Sequence, residues 1–188
     1  MSDAVSALSG ARFSGIATVE EAGLCGMITL RGDFASKSFA AAVKAATGAA
    51  LPETGRIAEG SDGAAAWMSP DELLLMVPYE EVNARLAALT EALSGEHALA
   101  VNVSDARAVF RISGEGARET LAKVAPVDLS AEAFRAGDFR RTRMAQVAGA
   151  FWLNGEGTIT VVCFRSVGEY VFKLLSAAAH PQAKVGVY

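Results

Sequence analysis

The sequence repeats itself once, and this internal duplication limits the folds open to it. Leu30–Phe39 (LRGDFASKSF) and Ile112–Leu121 (ISGEGARETL) lie 82 positions apart. In both, a strand-like stretch ends in Gly, an acidic residue follows, and a large apolar residue stands seven places after the glycine: Phe39 and Leu121. Trp67–Leu89 and Trp152–Leu174 lie 85 positions apart. That offset aligns Trp67 with Trp152, Val77 with Val162, Tyr79 with Phe164, Val82 with Val167 and Leu89 with Leu174. Two copies are too few for a solenoid, which needs about three or more. The expectation is a duplicated α+β domain of βαββα units with mainly antiparallel sheets.

The junction between the copies is Val101–Ile112. Val101 and Val103 alternate with Asn102, and Ala108, Phe110 and Ile112 alternate with Arg107, Val109 and Arg111. This is the period of two of half-buried strands, broken at Ser104-Asp105. Ser113-Gly114 closes the second strand and is placed to cap a helix over Glu115–Val124 whose apolar face carries Ala117, Leu121 and Val124.

Elsewhere the same reading predicts a strand over Leu24–Arg31 and a helix over Phe34–Thr47 capped by Asp33 and ended by Gly48. Gly55–Gly63 is turn-rich; Ala64–Met68 and Leu73–Val77 flank a Ser69–Glu72 hairpin turn, with Leu73–Val77 apolar enough to be central. Glu80–Leu93 carries Val82, Leu86, Leu89 and Leu93 at helical spacing. In the second copy, Ser130 caps a short turn. Phe139–Met144, Val147–Leu153 and Thr158–Phe164 are strands, the last two joined by a type I′ turn at Asn154-Gly155. Ser166–Glu169 reads as a capping box for a final helix with a Val167, Val171, Leu174 and Leu175 stripe, followed by an unremarkable tail from Ala177. Residues 1–22 are Ser-, Ala- and Gly-rich and read as an extended or poorly ordered arm. Residues 23–188 then form a single domain of two pseudo-repeats, about 24–100 and 101–178.

With 188 residues and 52% hydrophobic content, the chain can bury a substantial core. A net charge of −4 argues against nonspecific nucleic-acid binding. No apolar run reaches the roughly 18 residues of a membrane span, and the N-terminus lacks the basic and apolar regions of a secretory signal. Two cysteines do not make a disulfide scaffold, so a reducing, cytoplasmic setting is expected.

Chemistry-bearing patterns are sparse. His97 and His180 are isolated, and no CxxC, HxH or HExxH occurs, so metal binding is not expected. Cys25 and Cys163 fall in predicted strands as small hydrophobes. Gly114-Glu115-Gly116 opens a helix after a strand, but Glu119 stands where a dinucleotide fingerprint has its third glycine, and a carboxylate there opposes a pyrophosphate. Arg140, Arg141 and Arg143 form a basic cluster. On a strand, Arg141 and Arg143 share one face and Arg140 the other, either as a charged edge that blocks aggregation or as a contact for an acidic partner or polyanionic ligand. Trp67 and Trp152 are the matching aromatics, suited to core packing or to a partner contact.

Three segments carry a resemblance: Ala65–Pro78, Val101–Leu129 and Gly137–Trp152. Across about residues 24–178 the chain resembles the gamma subunit of heterotetrameric sarcosine oxidase. That family is similar in turn to the folate-binding fold of the glycine-cleavage aminomethyltransferase, whose strand-then-G-x-x-A-x-x-x-L pattern is matched by Val103-Ser104 and by Gly114, Ala117 and Leu121. The transferase follows a glycine with an Asp pair that acts at the folate. Here Gly149 is followed by Ala150, Phe151, Trp152 and Leu153, with no carboxylate to do that work.

The resemblance implies a non-catalytic subunit that binds no cofactor or metal of its own. Its expected partners are the alpha, beta and delta subunits. The complex is expected to carry FAD, FMN, NAD and tetrahydrofolate and to oxidise sarcosine to glycine, formaldehyde or methylene-tetrahydrofolate, and hydrogen peroxide. Two other readings stay open: a stand-alone folate-binding protein using Arg141 or Arg143, and an enzyme with an unrecognised site built on Asp105, Glu115 and Glu119.

Overall fold

The computed structural model describes residues 4–188. It divides into two compact units: Leu24–Ser104, and the segment up to Gly23 joined with Asp105–Tyr188. The division falls at Ser104-Asp105, the break expected in the junction, and it assigns Val101–Ser104 to the first unit.

The first unit is built on a five-stranded antiparallel sheet. Its strands are β3 (Gly26–Arg31), β4 (Ile57–Glu59), β5 (Ala64–Ser69), β6 (Glu72–Val77) and β7 (Leu99–Asn102), in the order β4-β5-β6-β3-β7. The apolar Leu73–Val77 run occupies the centre, as its composition requires. Alternate residues Leu73, Leu75 and Val77 join Ile28, Leu30 and Ala65 in one core with helices α1 (Lys37–Thr47) and α2 (Val82–Ala92). The start of α1 is set by Ser36, whose hydroxyl accepts from Phe39 N at 3.3 Å. Asp33 instead accepts from Ala35 N, closing a turn ahead of the helix. Gly48 ends α1 at φ 72°, with its N–H donating to Lys44 O. The turn-rich stretch 55–63 also contains the short strand β4. Cys25 precedes β3 rather than lying in it.

The second unit carries a six-stranded antiparallel sheet in the order β1-β2-β8-β11-β10-β9. Its strands are β1 (Arg12–Ser14), β2 (Thr18–Glu21), β8 (Arg107–Ser113), β9 (Phe139–Met144), β10 (Val147–Leu153) and β11 (Ile159–Phe164). Phe110, Ile112, Phe151, Val161 and Cys163 pack with Phe134 and with helices α3 (Ala117–Ala122) and α4 (Gly168–Ala178). Helix α3 is shorter than Glu115–Val124 because Gly114 sits at φ 96° and Gly116 is the N-cap without a side-chain cap. The Ser166–Glu169 capping box does not form; a single 3-10 turn, Arg165–Val167, leads into α4 instead. At the β10–β11 turn Asn154 Oδ1 accepts from Glu156 N and Thr158 N, and the positive φ falls on Gly157, so the turn is longer than a type I′ turn at Asn154-Gly155.

The N-terminal stretch, expected as an extended or poorly ordered arm, is paired into this sheet through β1 and β2; positions 1–3 of that expectation lie outside the described residues. The physical reason is Glu21, buried in β2, whose carboxylate accepts from Ser6 Oγ, Leu8 N and Gly10 N at 2.7–2.9 Å. Arg165 adds hydrogen bonds to Val5 O and Ser6 O. The tail is also tied down: the Glu119 carboxylate accepts from Val185 N and Gly186 N at 2.7 and 2.8 Å.

The duplication is real in topology but shifted in register. In β3–β6, Leu30 faces Leu73; in β8–β11, Ile112 faces Ile159. Leu73 therefore corresponds to Ile159, a separation one residue longer than the 85 read from the tryptophans. Because side chains alternate, one residue exchanges the two faces. Trp67 sits opposite Leu73 on the helix-facing side of its sheet, whereas Trp152 sits opposite Thr160 on the other side, stacked on Phe139 at 6.0 Å. The tryptophans are not equivalent: Trp152 takes the place of Ala66, and Leu153 that of Trp67. The same shift makes Leu175, not Leu174, the counterpart of Leu89, and both Leu89 and Leu175 are fully buried.

Candidate functional site

The basic cluster lies on β9, one of the two outer strands of the six-stranded sheet. The strand alternation divides it as expected. Arg140 is opposite Phe151, on the core side; Arg141 is opposite Ala150 and Arg143 opposite Ala148, on the other. The Arg140 guanidinium lies 5.7 Å from the Phe134 ring centre and donates to Phe139 O and Ala133 O at 3.0 and 3.2 Å. Asp138 stands 3.9 Å from it. This arginine is committed to holding the 133–139 loop against the sheet. Arg141 and Arg143 are exposed, and Arg143 donates to Gln146 Oε1 at 3.3 Å. Trp152 is buried beside this strand through Phe139, while Trp67 belongs to the other unit. The structure thus brings four of the five candidate contacts into one sheet and directs two charges outward.

The candidate carboxylates do not share one environment. Asp105 and Glu115 are exposed, and Glu119 is buried. Glu119 is held at 2.7 Å by Lys123, one helical turn on. The Lys123 hydrogen bond, then the Val185 and Gly186 amides and the lysine charge, outweigh desolvation and lower its pKa from 4.5 to about 2. Such a carboxylate stays ionised with its acceptor positions occupied, which suits a clamp rather than a general base near neutral pH. Cys163 is displaced in the opposite sense. Burial, only partly offset by the charge of Arg107, raises its thiol pKa to about 12, so it is a neutral thiol near neutral pH. His97 and His180 are exposed, and His180 Nδ1 accepts from Gln182 N. Among the described residues no three His, Cys, Asp or Glu side chains gather as a metal site, and no helix is long and apolar enough to cross a membrane.

The stretch that follows Gly149 is filled by packing. Ala150, Phe151, Trp152 and Leu153 are all buried in β10, and a Cβ on Gly149 would collide with the Met144 side chain. Sequence reasoning missed the two buried carboxylates Glu21 and Glu119 as anchors of the chain's two ends. The Glu119–Lys123 spacing was the one available signal.

Residues 31–180 match the family described as "Sarcosine oxidase, gamma subunit family". Two curated relatives, the sarcosine oxidase subunit gamma of an Arthrobacter species and that of Corynebacterium sp. (strain P-1), are each 35% identical over 62% of this chain. The chain spans 57% of their length in those matches. A chain of the heterotetrameric sarcosine oxidase from Corynebacterium sp. U-96 superposes with a TM-score of 0.82 at 28% identity, covering 94% of this chain and 91% of that one. The glycine cleavage system aminomethyltransferase T from Bartonella henselae superposes with a TM-score of 0.63 at 15% identity over 86% of this chain and 46% of that one, a likeness of fold.

Proposed function

The chain belongs to the sarcosine oxidase gamma subunit family, and we propose that it is a non-catalytic subunit supporting assembly of a heterotetrameric, cytoplasmic sarcosine oxidase. In this reading the partners are alpha-, beta- and delta-type subunits. They carry FAD, FMN, NAD and tetrahydrofolate, and the complex oxidises sarcosine to glycine with formaldehyde or methylene-tetrahydrofolate and hydrogen peroxide. The observation that carries the reading is the near end-to-end superposition on a chain of a heterotetrameric sarcosine oxidase. The packed β10 interior, the clamped Glu119 and the neutral Cys163 agree with a chain that contributes surface rather than chemistry.

The test is co-expression of the tagged chain with the other subunits, followed by size exclusion with flavin absorbance. Co-elution with flavin-bearing chains is the expected result. Elution without flavin while sarcosine oxidase activity elutes elsewhere would remove the reading.

A further inference from the structure

The two sheets have the same strand order, β4-β5-β6-β3-β7 matching β9-β10-β11-β8-β2, but only one of them continues. In the six-stranded sheet β2 is covered by β1, with Ser14 opposite Thr18, Phe13 opposite Val19 and Arg12 opposite Glu20. In the five-stranded sheet the counterpart of β2 is β7: Leu99 faces Arg31 as Thr18 faces Ser113, and Asn102 faces Ile28 as Glu21 faces Phe110. Among the described residues nothing takes the place of β1 beside β7.

The backbone polarity of β7 matches that of β2. Val103 N donates to Met27 O as Ala22 N donates to Val109 O. By antiparallel alternation, the N–H and C=O groups of Ala100 and Asn102 point away from β3. At the counterpart of Asn102, Glu21 N donates to Ala11 O beside β1. The side chains flanking the β7 edge are also unlike those of a protected edge. Leu99 is 56% and Val101 41% exposed, and the strand carries no charge. The outer strand β9, in contrast, carries three arginines. Leu99 lines two clefts, one of 540 Å³ with Arg31, Asp33, Asp71 and His97 in its wall and one of 230 Å³ beside Leu93 and Glu96.

The geometry points to β7 as a docking edge that accepts an extended segment of another subunit as a sixth, antiparallel strand, in the place that β1 fills in the sister sheet. The assignment of the occupant to another subunit rests on the reading given under Proposed function. The opposing segment places apolar side chains against Leu99 and Val101, where β1 offers Ser14 and Arg12 to Thr18 and Glu20.

The test is amide hydrogen exchange of the full chain, free and in the co-purified complex, with two variants. Protection of the Ala100 and Asn102 amides in the complex by about tenfold or more over the free chain is expected. Ala100→Pro removes an outward N–H without touching the ladder to β3, and Val101→Lys charges the edge; each is expected to reduce capture of the flavin-bearing chains. A complex in which the chain co-purifies while these amides exchange as in the free chain, or in which both variants assemble like the parent, overturns the docking edge and leaves the subunit reading intact. Failure of the parent chain to co-purify overturns both. A free chain that runs as a dimer with the same amides protected overturns the assignment in favour of self-pairing.

Discussion

The two sheets of this molecule share one strand order and differ in what closes them. The five-stranded sheet ends at β7, whose apolar residues are exposed, and is filled from its own contiguous segment, Leu24–Ser104. The six-stranded sheet borrows β1 and β2 from the N-terminal stretch, and that loan is secured by the buried carboxylate of Glu21. The helices differ as well. Helix α1 has eleven residues with a Ser36 cap and a Gly48 stop, whereas α3 has six and no side-chain cap. In place of a long third helix, the second unit fills its core with Phe134, which meets Phe151 edge-on at 5.6 Å. A duplicated sequence has therefore kept its sheet and changed what packs on it.

The largest expected effects test those two cores. Phe151→Ala removes a fully buried ring from the six-stranded unit and should cost about 3–5 kcal/mol, while Leu75→Ala in the five-stranded unit should cost about 2–5 kcal/mol. Denaturant unfolding of each variant measures the loss. The register shift gives a sharper comparison within one helix. Leu175→Ala should cost about 2–5 kcal/mol, as a fully buried leucine does. Leu174→Ala, at a half-buried position, should cost roughly half as much. Equal losses would contradict the one-residue shift between the copies.

Much of the fold was legible in the sequence because it rests on periodicity. The central Leu73–Val77 run and the Val82–Leu93 spacing reach the structure as read, and so does the Ala108, Phe110 and Ile112 face of β8, although Val109, read with the outward set, is buried too. The departures have separate causes. The tryptophans suggested an offset of 85, but identity of residue type is not identity of register. Hydrogen-bonded pairing sets the face, and it places Trp152 where Ala66 stands. Local cap signals failed where a competing backbone geometry won, as at Asp33, Ser113 and Ser166. The order of the two end segments comes from distant carboxylates, Glu21 and Glu119, which no local pattern announces. The division of the arginine cluster between two faces was legible, since it needs only strand alternation.

Smaller effects separate the anchors of the two ends and the surface. The folded pKa of Glu119 is depressed, so its contribution is fully present above about pH 4.5 and is lost as pH falls toward 2. Hydrogen exchange at Val185 and Gly186 should follow that window, and Glu119→Gln should make their protection lower and insensitive to it. Native-state thiol labelling near pH 8 should modify the half-buried Cys25 before Cys163, whose thiol is buried and held neutral. The smallest effects belong to β9. Arg141→Ala and Arg143→Ala should change stability by no more than about 0.5 kcal/mol. Arg140→Ala, which strips a guanidinium from the Phe134 face, should cost about 1 kcal/mol. Thermal unfolding of the three variants side by side checks the order.

A non-catalytic, assembling role is tested by sarcosine-dependent oxygen uptake, normalised to bound flavin, for the enzyme expressed with and without this chain. The expected result is that the chain alone binds no flavin and turns over no sarcosine, and that omitting the chain lowers the yield of assembled enzyme. Full assembly in its absence, or flavin and turnover in the isolated chain, would contradict it.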